Sequence, residues 1–196
     1  SNIIAVKLLD NLGFENVIAM ANSLGVGKEQ KLGKYYPLAI GAYEETLMNL
    51  TSAYSAITNR GIYKTPSPIE KILGPDNRII WSQDFHKKKD KRVLSQDVAD
   101  TLNWMLQQSV INGTGNIASL KTRQVSGKTG TSEGNRDLWF IGSIPQLTTG
   151  VWFGNDNNKE TKMSSGNAAW AWKKYIQEIE KDLKVIEFKM PNSLKE

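Results

Sequence analysis

The stretch "SGKTGTSEGNRDLWFIG", Ser126–Gly142, decides the fold, because it joins two strand-like runs through one short turn. The first run begins upstream and covers Arg123–Thr131, and the second, Asp137–Ile144, is largely apolar. A third run of the same kind, Thr148–Asp156, follows after another short turn. Consecutive strands joined by links this short must be antiparallel neighbours. The sequence therefore predicts an antiparallel sheet whose strands lie around residues 123–154.

Helical periodicity surrounds these strands. Apolar residues recur at helical spacing in four segments: 2–24 with a break at Gly13, 47–61, 95–110 and 167–183. The third helix is expected to bury one stripe: Val98, Leu102, Met105, Leu106 and Val110. The last helix carries Trp172 and Ile176 on one side, and this apolar stripe is expected to cover a face of the sheet. Between the second and third helices, two short strands are predicted with a turn at Gly74–Asn77.

The order of these elements indicates an α+β fold, in which helices flank the antiparallel sheet. We expect residues 1–183 to form one folded unit and residues 184–196 to form a polar C-terminal tail that is frayed. The chain starts inside an apolar pattern, "SNIIAVKLL", as a segment of a longer protein would.

Composition argues against several kinds of site. The 196 residues contain no cysteine and a single histidine, so disulfides, thiolate nucleophiles, histidine metal clusters and a Ser-His-Asp triad are not expected. The net charge is +5, and basic residues gather in "HKKKDKR", His86–Arg92. We interpret this run as a solvated loop rather than a patch for nucleic acid or an anionic surface, because no aromatic residues interleave with its lysines.

The "KTGT" run carries the candidate site. Lys128 and Thr129 are adjacent, so on a strand their side chains point to opposite faces, whereas Thr129 and Thr131 share one face. Gly127 and Gly130 lack side chains, which lets another chain or a ligand approach the backbone closely. Backbone N–H groups, hydroxyls and a nearby ammonium suit a peptide-like ligand with a carboxylate. The alternative is a solvated strand whose glycines only serve turns.

Neighbouring motifs connect this run to a family. K-T-G, together with S-x-x-K and a serine–asparagine motif, marks penicillin-binding proteins and class A β-lactamases. The run "SGKTGTSEGNRDLWFIGSIP…GVWFGND" resembles the transpeptidase domain of class A penicillin-binding proteins, in which K-T-G-T precedes a D-x-W-F-x-G strand and a W-x-G strand. Upstream, "NGTGNIASL" resembles that family's G-T-G turn, and "NIIAVKLLDNLG" resembles the residues after its S-x-N motif. The matches occur in the family's order from Asn2 to Trp172.

Two signature motifs of that family are incomplete in this chain. Alignment on "NIIAV" places Asn2 at the asparagine of S-x-N and Ser1 at the middle position, so the motif serine would precede the chain. Ser-Asn is also a common scar of an expression tag. No serine is followed three residues later by a lysine, so S-x-x-K is missing from these 196 residues. The resemblance therefore implies the C-terminal part of the transpeptidase domain, without its nucleophile.

What the resemblance implies is serine acyl transfer. In the family, a serine attacks the carbonyl between two terminal D-alanines of a peptidoglycan stem peptide, and an amine of a neighbouring stem then takes the acyl group. The implied catalytic residues here are Lys128, Thr131, whose N–H is an oxyanion donor, and Asn2 if it is native. The implied substrate-binding residues are Thr129, Gly130 and Thr131. No metal or cofactor is implied, and β-lactams are expected to acylate the same serine.

The resemblance also implies partners and a location. The expected ligands are stem peptides and β-lactams, and nucleic acid is not expected. This chain alone is predicted to be inactive, so the missing N-terminal half of the domain, or self-association through apolar surface, is expected to accompany it. Class A membership implies a membrane-anchored parent protein with a glycosyltransferase domain, on the extracytoplasmic face of the bacterial inner membrane.

Two alternatives stay open at this point. One is a non-catalytic module of the same fold that binds peptidoglycan or a protein partner. The other is a fragment related to serine β-lactamases, against which the "DLWFIG" and "VWFGND" strands argue.

Overall fold

The computed structural model describes residues 1–28, 30–82 and 90–194. These ranges contain five α-helices: α1 Asn2–Leu12, α2 Phe14–Ser23, α3 Leu47–Thr58, α4 Gln96–Ile111 and α5 Ser165–Ile179. They also contain seven strands: β1 Ile62–Tyr63, β2 Lys71–Leu73, β3 Ile79–Ser82, β4 Lys91–Arg92, β5 Ser126–Thr131, β6 Asp137–Ile144 and β7 Leu147–Gly154. No helix within the described ranges combines the length and apolar character needed to cross a membrane.

The predicted sheet is confirmed. β5, β6 and β7 form a three-stranded antiparallel sheet in that order. Thr129 lies opposite Phe140, and Ile141 lies opposite Gly150. Because paired residues on neighbouring strands share a face, this register assigns Thr129 and Phe140 to one face and Ile141 to the other. The short link between β6 and β7, at residues 145–146, closes the hairpin.

Helix α5 covers the Phe140 face of the sheet, as its apolar stripe predicts. Trp172 is fully buried, and its indole Nε1 donates to the carbonyl oxygen of Gly142 at 3.2 Å. The Phe140 and Trp172 rings meet edge to face, with centroids 5.4 Å apart. A Cβ on Gly142 would lie 2.7 Å from the Trp172 ring, and a Cβ on Gly127 would lie 2.6 Å from Phe140. The two glycines face each other across the strands, so together they make room for both rings.

Helix α3 packs on the opposite face of the sheet. Its N-terminus is capped by Thr46, whose hydroxyl accepts from the N–H of Asn49 at 3.1 Å. Near its C-terminus, the Thr58 hydroxyl donates to Ser143 Oγ at 2.9 Å. Gly150 allows close approach, because a Cβ there would lie 2.3 Å from Thr51 Oγ1. Helices α3 and α5 therefore enclose the sheet from its two sides.

Helix α4 begins where Ser95 predicts, and the Ser95 hydroxyl accepts from Val98 N–H at 3.3 Å. The predicted buried stripe is wrong in two places, because Val98 and Met105 are each more than half exposed. The inner face carries polar residues as well as apolar ones. Asp100 is buried and accepts two hydrogen bonds from the Arg60 guanidinium, at 2.8 and 3.1 Å. A polar residue is thus buried on this helix because its partner comes from another part of the chain.

The segment between α3 and α4 forms two small strand pairs. β2 and β3 make the predicted hairpin, across which Gly74 N–H donates to the Arg78 carbonyl oxygen at 2.8 Å. β1 pairs with β4, which the sequence does not predict because β4 lies within the basic run. Residues 83–89, which hold most of that run and the single histidine, lie outside the described ranges, so the predicted solvated loop stays a prediction.

The prediction of a frayed tail is wrong for the residues described, which extend to 194. Phe188 N–H donates to Gln124 Oε1 at 2.8 Å. Asn192 N–H donates to Asp97 Oδ1, also at 2.8 Å. These side chains pair with the backbone of a segment that has almost no regular structure, so the tail lies against the body of the protein. The proposed boundary between residues 183 and 184 stays a prediction.

Gly142→Ala is expected to lower the free energy of unfolding by about 1–3 kcal/mol, because the added methyl group would overlap the buried rings of Phe140 and Trp172. Urea unfolding followed by circular dichroism measures the change. Gly74→Ala is the matched control, since a Cβ there would meet only side-chain atoms of Asp76 and Ile80. Equal losses in the two variants would contradict this account of the packing.

Candidate active site

β5 forms one edge of the sheet, and no described strand pairs with its outer side. Directly after β5, Ser132 N–H donates to the Asp137 carbonyl oxygen at 3.0 Å. Because N–H groups along an antiparallel strand alternate in direction, the N–H of Thr131 points away from β6, toward the open edge. The same alternation directs the Thr129 carbonyl outward, and Lys128 Nζ donates to that oxygen at 2.8 Å. The open edge therefore presents a backbone donor and an ammonium group side by side.

Lys128 is the cationic group at this edge. Burial lowers the pKa of the Lys128 amine from its ordinary value. Its hydrogen bond goes to a neutral carbonyl oxygen, and no carboxylate in the described part of the chain forms an ion pair with it. The positive charge of Lys128 is therefore available to an anionic ligand at the edge.

Thr129 and Thr131 share a face, as predicted, but they differ in exposure. Thr131 is exposed, whereas Thr129 is only 8% exposed. The Thr129 hydroxyl lies 2.7 Å from the hydroxyl of Thr114, which belongs to the turn Gly113–Gly115. The K-T-G strand and the G-T-G turn therefore meet through one hydrogen bond.

The two glycines of this strand have different roles. Gly127 is buried, and the room left by its missing side chain holds the Phe140 ring. The expectation that Gly127 opens the backbone to a ligand is therefore corrected. Gly130 is partly exposed beside Thr131, and a Cβ there would lie 3.2 Å from Trp139 Cβ. Its bare backbone keeps this part of the edge uncovered.

The turn that follows Thr131 is fixed by Asp137. Ser132 Oγ donates to Asp137 Oδ2 at 2.9 Å and accepts from Asp137 N–H at 2.8 Å. From β7, the Trp152 indole N–H donates to Asp137 Oδ1 at 3.0 Å. The carboxylate of Asp137 thus ties the exit of β5 to the far strand of the sheet.

Asn2 lies in the first turn of α1, away from these contacts. Helix α1 packs against α2 and the 3₁₀ turn Tyr36–Ile40. Within the described ranges, no side-chain hydrogen bond joins Asn2 to β5, so its place in the site stays a prediction. Four large apolar side chains of α1 are more than half exposed: Ile3, Ile4, Leu8 and Leu12.

This arrangement suits the binding of a carboxylate and the stabilisation of an oxyanion. Among the described residues, no group of three or more His, Cys, Asp or Glu side chains could hold a metal ion. A serine–lysine pair of the S-x-x-K type is also missing from the 196 residues.

Comparison with known proteins assigns this chain to a family. The family model described as "Penicillin binding protein transpeptidase domain" matches residues 1–177. The chain belongs to the penicillin-binding protein transpeptidase family. The resemblance found in the motifs to penicillin-binding proteins is thereby confirmed.

Two relatives show how much of a penicillin-binding protein the chain represents. It is 34% identical to penicillin-binding protein 1A of Aquifex aeolicus over 193 residues. This aligned stretch covers 97% of the present chain and 26% of the relative. It is 30% identical to penicillin-binding protein 1A of Clostridium botulinum over 198 residues, and that aligned stretch covers 98% of the present chain and 24% of the relative. The chain thus spans about a quarter of the length of these relatives.

Solved structures of penicillin-binding proteins share the fold. The crystal structure of penicillin-binding protein 1A from Haemophilus influenzae matches with a TM-score of 0.81 at 23% identity, over 98% of this chain and 35% of that one. The D,D-transpeptidase domain of a peptidoglycan glycosyltransferase from Eggerthella lenta matches with a TM-score of 0.75 at 19% identity, over 93% of this chain and 52% of that one. The predicted α+β fold with an antiparallel sheet is confirmed.

Two neighbours of the K-T-G strand, Thr114 and Asp137, are not predicted from the sequence. Thr114 lies in the G-T-G motif and Asp137 in the D-x-W-F-x-G motif, and their positions in these motifs could have marked them as candidates. Thr114 and its partner Thr129 are 15 residues apart in the sequence, and so are Asp137 and its partner Trp152. Only the folded sheet and turn bring these pairs together.

Asp137→Ala is expected to lower the free energy of unfolding by about 1–3 kcal/mol, because Ser132 and Trp152 lose their shared acceptor. Urea unfolding measures the loss, and NMR hydrogen exchange should show faster exchange of the Ser132 amide. Asp156→Ala, in the exposed loop after β7, is the control. If both variants were equally stable, Asp137 would not hold the turn.

Proposed function

We propose that this chain forms the K-T-G wall of a serine D,D-transpeptidase that cross-links peptidoglycan stem peptides and is acylated by β-lactams. The observation that carries the proposal is the open edge of β5, where the Thr131 N–H and the Lys128 ammonium point outward in a chain of the penicillin-binding protein transpeptidase family.

The proposed reaction begins at a serine from outside these 196 residues. The serine oxygen bonds to the carbonyl carbon between the two terminal D-alanines, and the bond to the nitrogen of the last D-alanine then breaks. A serine hydroxyl is a weak nucleophile, so it needs the adjacent base that an S-x-x-K lysine supplies. An amine of a second stem peptide then displaces the serine and forms the cross-link. Where water takes the place of that amine, the same site acts as a carboxypeptidase.

The K-T-G strand is proposed to stabilise two negative charges, the oxyanion that forms during the reaction and the terminal carboxylate of the substrate. The N–H of Thr131 donates to the oxyanion that develops on the attacked carbonyl. The substrate's terminal carboxylate is held by the Thr129 and Thr131 hydroxyls, beside the bare backbone of Gly130. Lys128 supplies positive potential near that carboxylate, and its lowered pKa makes it easier for the amine to give up a proton. Asn2, if native, binds the amide of the acyl group.

The rest of the cleft is proposed to come from the remainder of a longer protein. The exposed apolar residues of α1 are a surface that the N-terminal half of the domain would cover: Ile3, Ile4, Leu8 and Leu12. Self-association through the same surface is the other way to cover it. We further propose that the parent protein is membrane-anchored, carries a glycosyltransferase domain, and works on the extracytoplasmic face of the bacterial inner membrane.

A second candidate function is a non-catalytic module that binds peptidoglycan or a protein partner through the same edge. This candidate requires that the part of the parent protein upstream of these residues also lacks S-x-x-K. The two candidates differ in one measurable respect, because only the transpeptidase forms a covalent adduct with penicillin.

Intact mass before and after incubation with a labelled penicillin separates the two candidates. The isolated chain is expected to gain no penicillin, because it lacks the serine–lysine pair, whereas the full-length protein is expected to gain one. A covalent adduct on the isolated chain would mean that it holds a nucleophile of its own. No adduct on the full-length protein would leave the binding module as the function.

A further inference from the structure

We infer that Thr114 is a positioning residue of the carboxylate-binding site, because its hydroxyl sets the direction in which the Thr129 hydroxyl donates. This inference rests on the proposed function, in which Thr129 binds the terminal carboxylate of the substrate. It starts from the 2.7 Å contact between Thr114 Oγ1 and Thr129 Oγ1, in which either oxygen is able to donate.

A bound ligand decides which of the two hydroxyls donates its proton to the other. Each threonine hydroxyl has one proton, and one of the two protons lies between the oxygens. A carboxylate only accepts hydrogen bonds, so Thr129 must donate its own proton to bind one. Thr114 must then be the donor to Thr129. A hydroxyl that accepts one hydrogen bond becomes a better donor of the next, so the pair binds an anion more strongly than Thr129 alone.

The turn around Thr114 is built to hold this side chain in place. Gly115 N–H donates to the Ser109 carbonyl oxygen at 3.1 Å, which folds the turn back onto the end of α4. A Cβ on Gly113 would lie 2.7 Å from the same oxygen, so a larger residue there would displace the turn. Gly115 is buried, and a Cβ on it would lie 3.5 Å from the Phe140 ring. Thr114 itself is exposed and projects from a turn anchored on both sides.

The location of the pair supports a role in orientation. Thr129 as a residue is only 8% exposed, and the side-chain partner of its hydroxyl is the Thr114 hydroxyl. If the Thr114 hydroxyl is removed, the Thr129 proton is free to turn toward other acceptors. Thr129 then binds a carboxylate only after it has been reoriented, and the loss is specific to ligands that carry one.

The test uses the full-length protein and a fluorescent penicillin in two forms, the free acid and its neutral methyl ester. The measured quantity is the second-order rate constant of acylation. Thr114→Val is expected to lower this rate about tenfold for the free acid, the loss of roughly one hydrogen bond, and to leave the slower rate of the ester nearly unchanged. Thr114→Ser, which keeps the hydroxyl, is expected to restore most of the rate.

Two further variants separate positioning from general damage. In a Thr129→Val background, Thr114→Val should cause no further loss, because its effect passes through Thr129. Thr122→Val removes a hydroxyl that bonds the Glu180 carboxylate and not Thr129, and should leave acylation unchanged. Thermal melting confirms that each variant is folded. If the Thr114→Val variant is unfolded, Thr114→Ala is used in its place, because alanine adds no atom that could clash with its surroundings.

The outcomes are distinct. Equal losses for acid and ester, or an additive loss in the Thr129→Val background, would show that Thr114 only supports the fold and would overturn the inference. Wild-type acylation with no effect of Thr114→Val would overturn the inference and leave the proposed transpeptidase standing. Failure of the wild-type protein to be acylated by either form would overturn both.

Discussion

The structure depends on one contact, in which two aromatic rings occupy the room left by two facing glycines. Gly142 and Gly127 lie opposite each other on β6 and β5, and the rings of Phe140 and Trp172 pack where their side chains would be. Trp172 also donates its indole N–H to the Gly142 carbonyl oxygen, so α5 is held in position by a hydrogen bond as well as by packing. This contact fastens α5 to the sheet and sets which face of β5 is buried.

The candidate site follows from that arrangement. One face of the sheet lies under α5, and α3 packs on the other face against β6 and β7, while α4 packs against β5. Lys128, Gly130 and Thr131 are the residues of β5 that stay at least partly exposed. The N–H of Thr131 and the ammonium of Lys128 both lie at the open edge of β5, and the G-T-G turn reaches the same strand through Thr114. Asp137 then closes the β5–β6 turn through Ser132 and Trp152. Helices, the Thr114 turn and the Asp137 contacts all hold β5 in place. A binding site for a small carboxylate needs such a rigid support.

The sequence predicts the parts of this structure that depend on local periodicity. The three strands, their antiparallel pairing and the helix that carries Trp172 all follow from spacing and turn length. Helix α4 shows the limit, because its buried Asp100 is stabilised by Arg60, and no periodicity within the helix indicates that partner. The tail shows the same limit, since Gln124 and Asp97, which bind its backbone, lie far upstream. The positions of Lys128 and Thr131 at an open edge follow from the motif, but the Thr114–Thr129 contact needs the folded turn.

The central claim is that the edge of β5 binds the carboxylate and the oxyanion of the same ligand. A crystal structure of the full-length protein after reaction with penicillin tests it most directly. The account predicts the acyl carbonyl oxygen within hydrogen-bond distance of the Thr131 nitrogen, and the penicillin carboxylate against the Thr129 and Thr131 hydroxyls. An acylated protein whose penicillin carbonyl and carboxylate both lie away from β5 would contradict it.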